Sequence, residues 1–232
     1  MNQKITFQQH KLKPFLIGLF AYAFLLLSFL LSDSIFHHIG NSITADENPI
    51  NFFTALNLWL ASATAFLITK RHIKEHNESK YLLALWIIIS LGLLYAGLDE
   101  MFEIHEAIGK HLEAMIQGTS YEIPFYRIFD EGEQPIMLCY FGGGIVMSYF
   151  FLSKMISSRM TAYFFISALI LQGLAAISDS FNLVTALTGI YSEEINYTGY
   201  VEEISEFLSS LLFWAAMVIE LKWFQISMED MR

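Results

Sequence analysis

The chain has 232 residues, 55% of them hydrophobic and 16% charged, with a formal net charge of −10 and one cysteine. The lone Cys139 excludes an internal disulfide and a thiolate-rich metal site. The acidity excludes nucleic acid as a natural partner. Apolar residues fall in blocks instead of helical or strand periods, which is the pattern of a chain whose solvent is a lipid bilayer.

The blocks predict an all-α, polytopic membrane protein of one domain, residues 1–232, with six transmembrane helices and both termini cytoplasmic. The spans are expected at about 14–35, 50–69, 81–108, 135–152, 160–180 and 201–224. An apolar run of about 18 to 20 residues covers about 27 to 30 Å at 1.5 Å per residue, the thickness of the hydrocarbon core.

The first run follows Lys4, Lys11 and Lys13 and is longer than the apolar part of a signal peptide. "LLSDSIFHHIG" after it has no small-residue cleavage pattern, so the helix is expected to be retained and the chain to start near Met1. Asp33, His37 and His38 stand at its far end. Alternating the loops then places eleven of the thirteen Lys and Arg on one side, and eighteen of the twenty-three acids on the other. By the positive-inside rule the basic side is cytoplasmic. The expected location is a bacterial inner membrane with the acidic face extracytoplasmic, where the natural partners are cations.

The third run ends in "LDEMFEIHEAIG". On one continuous helix Asp99, Glu103 and Glu106 fall within about 60° of one another, with Glu100 and His105 to either side. Lys110 and Glu113 would prolong the stripe as an amphipathic extension, Glu106 and Lys110 forming an i, i+4 pair. Such a stripe is also what a merely solvated helix face looks like. The segment from Gly109 to Gln134, with Asp130, Glu131 and Glu133, is expected to be a cap of little regular structure.

In the fourth run, Gly142, Gly143 and Gly144 lack the lysine and the strand of a phosphate loop, so close helix packing or a bend is expected. Gly92 and Ala96 are expected to do the same on the third. Gln172, deep in the fifth run, calls for an interhelical hydrogen bond, and Asp179 closes that run. Trp59, Trp86, Trp214 and Trp223 read as lipid-facing or interfacial anchors.

The sixth span opens "YVEEISEFLSSLLFW", repeating the acid-Glu-x-x-Glu pattern of "DEMFE" at the same membrane depth. The helix dipole accounts for acids in a first turn, by about 0.3 to 1 kcal/mol each, but not for Glu206, one turn further in. An ionisable group there needs a partner. Seven carboxylates on the two segments would repel one another unless protons, water or cations intervene.

These residues predict a carboxylate/histidine metal site. Asp99, Glu103, His105, Glu106, Glu203 and Glu206 are the expected ligands of a divalent metal (iron, manganese or zinc), and Glu100 and Glu202 the expected acid/base pair. Two-metal helical bundles use Glu-x-x-His pairs, and here the pattern is Glu-x-x-Glu with a neighbouring His. The corresponding function is a membrane metalloenzyme acting on a lipid or apolar substrate. The alternatives are a cation or proton-coupled transporter and a noncatalytic membrane subunit. Transport is disfavoured because the inner half of every span lacks an acid or histidine until Glu220.

"LDEMFEIHEAIG" followed by "EEISEF" resembles a family of uncharacterised multi-spanning bacterial membrane proteins with an Asp-Glu…His-Glu helix end and a Glu-Glu-x-x-Glu helix start. The resemblance marks Asp99, Glu100, His105, Glu106, Glu202, Glu203 and Glu206. It implies no reaction, and it departs after Glu206, where "FLSS" replaces a Met-Leu-Gly-like continuation.

Overall fold

The computed structural model describes residues 14, 17–25, 28, 49–74, 79–117, 134–181 and 197–229, and among these there is no strand. In chain order the helices are α1 (residues 17–25), α2 (Pro49–Lys74), α3 (Lys80–Phe102), α4 (Ile104–Gln117), α5 (Gln134–Phe150), a π turn (Phe151–Met155), α6 (Arg159–Phe181) and α7 (Tyr197–Glu229). Asp33, His37, His38, Asp130, Glu131 and Glu133 lie outside the described residues.

Among the described residues four helices, not six, are long and apolar enough to cross a membrane: Ile50–Lys74, Lys80–Phe102, Arg159–Ser178 and Val201–Lys222. The expected first span lies mostly outside the described residues. The fourth is a 17-residue α-helix that runs into the π turn, so its regular part falls short of a full crossing.

The helix order is set by α2, which packs along both α3 and α7, while α6 packs on the other side of α7. Small hydroxyl side chains fasten these contacts. Ser62 Oγ donates to the Ser90 carbonyl at 2.7 Å and Ser90 Oγ returns a bond to the Ser62 carbonyl at 3.0 Å, tying α2 to α3. Asn57 Nδ2 donates to Ser210 Oγ at 3.2 Å between α2 and α7, and Ser209 Oγ donates to the Ala168 carbonyl at 2.9 Å between α7 and α6. In hydrocarbon such bonds and small residues supply the association that the hydrophobic effect supplies in water.

Every Lys and Arg of the four spanning helices lies at one pole of the bundle: Lys70, Arg71 and Lys74 of α2, Lys80 of α3, Arg159 of α6 and Lys222 of α7. Ser79 caps the α3 start there, its hydroxyl accepting from Leu82 N at 3.2 Å. The same pole is filled by Phe151 of the π turn, whose ring meets Trp86 of α3 at 5.7 Å and Phe165 of α6 at 4.3 Å. Trp86 is therefore fully buried, not an interfacial anchor.

Beside it lies Glu220 of α7, 2% exposed, whose oxygens accept from Ser157 N and Thr161 Oγ1 at 2.8 Å each. The carboxylate faces the start of α6, where backbone donors have no helical partner and a negative charge is favoured.

The close approach of α2 and α3 falls at Gly97, not at Gly92. A Cβ on Gly97 would stand 2.5 Å from Trp59 Nε1 and 3.1 Å from the Ala55 carbonyl, whereas one on Gly92 meets nothing within 4 Å. Gly142, Gly143 and Gly144 likewise face open space, so they mediate no packing among the described residues.

Two outcomes are expected in thermal unfolding of the detergent-solubilised protein. Gly97→Ala overpacks the α2–α3 contact and costs about 1 to 3 kcal/mol, lowering Tm, while Gly92→Ala leaves Tm within error. Glu220→Ala strands two donors, one of them a backbone N–H, at about 1 to 3 kcal/mol each, and Glu220→Gln recovers part of that loss.

Candidate cation site at the acidic pole

At the pole opposite the lysines, α3 does not run on as one helix. It stops at Glu103, the one non-glycine residue with positive φ among the described residues (φ 49°, ψ 44°), and α4 sets off from Ile104. A left-handed non-glycine residue costs about 1 to 2 kcal/mol, and Asp99 supplies the offset. Its Oδ1 accepts from the His105 backbone N–H at 2.8 Å, and its Oδ2 lies 2.9 Å from His105 Nδ1. One buried carboxylate thus caps the first turn of α4 and orients an imidazole. With Nδ1–H donating to Asp99, the neutral ring keeps its lone pair on Nε2.

The bend corrects the expected single stripe of Asp99, Glu103 and Glu106. Glu103 is the hinge itself, and Glu106 lies past it with its carboxylate 2.9 Å from Lys110 Nζ, the anticipated i, i+4 pair. Asp99 and His105 are joined, while Glu106 is turned to Lys110.

The central acid is Glu100, expected as an acid/base. It lies half-buried within electrostatic reach of Glu206, Glu203, Asp99 and Glu202, so the acidic ends of α3 and α7 do face one another. Glu206 also accepts from Gln172 Nε2 of α6 at 3.4 Å, the interhelical bond expected of that glutamine. Two unit charges about 5 Å apart near a protein surface repel by about 3 kcal/mol. A cluster of this kind therefore demands a counter-charge or protons.

Beneath the acids lie oxygen atoms that the sequence did not single out. Thr54 Oγ1 (residue 2% exposed) and Asn57 Oδ1 (0%) on α2, and Ser178 Oγ (0%) on α6, are buried and make no hydrogen bond among the described residues. Asn57 is anchored to Ser210, one turn past Glu206, so Thr54, nearly one turn earlier on the parallel helix, lies at the level of Glu206 and Phe207. Buried polar atoms without partners point to a water or an ion held nearby. Being uncharged members of an apolar run, these residues carry no signal in hydropathy or charge pattern.

Among the described residues no group of three or more His, Cys, Asp or Glu stands at metal-holding distances. The expected ligand set of Asp99, Glu103, His105, Glu106, Glu203 and Glu206 is thus divided: Glu203 and Glu206 face Glu100, and Asp99 and His105 pair beside them.

Four apolar helices of bilayer length, with basic and acidic poles at opposite ends, define the class as a helical integral membrane protein. The chain belongs to the family described as "Domain of unknown function (DUF8692)", which matches residues 50–221 and so takes in both acidic segments. No curated protein and no solved structure matches the chain.

The Asp99–His105 pair can be read by hydrogen exchange. Asp99→Ala removes the acceptor of the His105 amide, worth about 1 to 1.5 kcal/mol, and should lower that amide's protection about tenfold. Glu103→Gly, which relaxes the left-handed residue, should leave it unchanged or higher.

Proposed function

We propose that this integral membrane protein binds a divalent cation between α3 and α7 at its acidic pole. The observation that carries this reading is Glu100 facing Glu202, Glu203 and Glu206 from the opposite segment. The donors are hard oxygens, with the buried Thr54 hydroxyl and Asn57 amide oxygen one layer below. Such a set suits manganese, iron(II) or zinc with carboxylate ligands. Glu100, Glu203 and Glu206 would hold the ion, and side-chain rotation would close the last ångströms. His105, aligned by Asp99, would contribute Nε2 from the edge, in the carboxylate–histidine arrangement that tunes metal ligands. If the site is catalytic, its chemistry is activation of a bound water beside Glu202.

A transport path has less support. Below the acids, Ala61, Ala65, Ile68, Trp86 and Phe151 form a closed apolar core, and Glu220 at the far pole is engaged as a helix cap.

Metal analysis of gently purified protein, followed by Mn2+ titration, tests the reading. The wild type should hold metal or bind Mn2+ with a stoichiometry of one or two. Glu100→Gln and Glu206→Gln, equal in size but uncharged, should each weaken binding by about tenfold or more, and His105→Ala by about 10- to 100-fold. A wild type that neither carries metal nor binds Mn2+ overturns it.

A further inference from the structure

The four helices form an arc, α3–α2–α7–α6, in which α3 and α6 do not pack along one another among the described residues. At the basic pole the gap is plugged by Phe151, wedged between Trp86 and Phe165. Above that plug α5 crosses the opening with few contacts. The Tyr140 hydroxyl is hydrogen-bonded to that of Tyr95 on α3, and a Cβ on Gly173 of α6 would lie 3.6 Å from the Phe141 ring.

Between these touches α5 stands off the bundle. Residues 139–146 are all exposed, and eight consecutive helical positions point in every direction at 100° per residue. The side turned toward the arc is therefore uncovered as well. A Cβ added to Gly142, Gly143 or Gly144 would touch nothing within 4 Å. The result is a slot bounded by α3, α5 and α6, floored by Phe151.

Its upper end reaches the acids. Tyr140 lies within electrostatic reach of Asp99, and Gln172 of α6 leads to Glu206. From Trp86 to Asp99, α3 rises about 20 Å, enough for one lipid chain, whose leaflet is about 15 Å deep. A slot between membrane-spanning helices is filled from the bilayer. At its mouth Glu100, Glu203 and Glu206 meet no lysine or arginine of the four spanning helices, all of which lie at the other pole.

We infer that the slot between α3, α5 and α6 holds one chain of a bilayer lipid with an amine headgroup, whose ammonium sits at Glu100 and Glu206. This inference rests on the cation-binding reading: ammonium and divalent metal are alternative counter-charges at the same carboxylates. Charge complementarity selects the amine over an anionic headgroup, and the glycines of α5 leave the room for the chain.

The test reconstitutes the full chain in nanodiscs of equal parts phosphatidylethanolamine and phosphatidylglycerol, then reads lipid retained after mild extraction by native mass spectrometry. Phosphatidylethanolamine should be enriched about fivefold or more, what one accessible ion pair supplies, and millimolar Mn2+ should displace it. Gly143→Trp, which fills the slot, should lose the lipid yet still bind Mn2+, whereas Glu206→Gln loses both. Gly142→Leu reads the same if Gly143→Trp does not fold. Equal retention of the two lipids, or retention unaffected by both slot variants, overturns the inference. Lipid selectivity in a wild type that never binds Mn2+ would overturn the metal reading alone.

Discussion

A crowd of carboxylates cannot hold itself together, so something else must keep the acidic ends of α3 and α7 at one level. That constraint is met by α2, which lies between them. Its Ser62 exchanges hydrogen bonds with Ser90 of α3, its Asn57 bonds Ser210 of α7, and its Ala55 and Trp59 crowd Gly97. None of these residues is ionisable. Repulsion among Glu100, Glu203 and Glu206 is thus opposed by packing a few turns away, and the site is strained toward whatever cation relieves it.

The Glu103 bend serves the same pole differently. A straight continuation would have carried Glu103 and Glu106 out in line with Asp99. The left-handed residue instead folds α4 back far enough for Asp99 to reach His105. The pole therefore holds two kinds of anion, one already matched by an imidazole and a backbone amide, the other facing only its own kind.

Much of this was readable in the chain. Blocks of apolar residues foretell four of the membrane-length helices, and the opposed charges foretell the two poles, because both depend only on composition along one dimension. Gln172 and the Glu106–Lys110 pair were equally accessible, being consequences of depth and of i, i+4 spacing. What periodicity does not contain is a break in it. Nothing in "DEMFEIHE" announces a left-handed residue at Glu103, since the amphipathic pattern runs through it uninterrupted. The buried Thr54, Asn57 and Ser178 were invisible for another reason: neutral polar residues barely alter hydropathy, and only the neighbouring helices decide whether they matter. The same holds for glycine, where Gly97 is a contact and Gly143 a vacancy in otherwise similar surroundings.

One helix carries both Glu206 and Glu220. They are separated by about four turns, or about 21 Å of rise, and so project from nearly the same side of α7. The second is pinned to Ser157 and Thr161, which denies α7 the freedom to slide or roll as a rigid rod without uncapping α6. Any adjustment to an arriving charge must come from torsions of individual glutamates. The pole is built to respond locally, with the far end of the rod serving as its anchor.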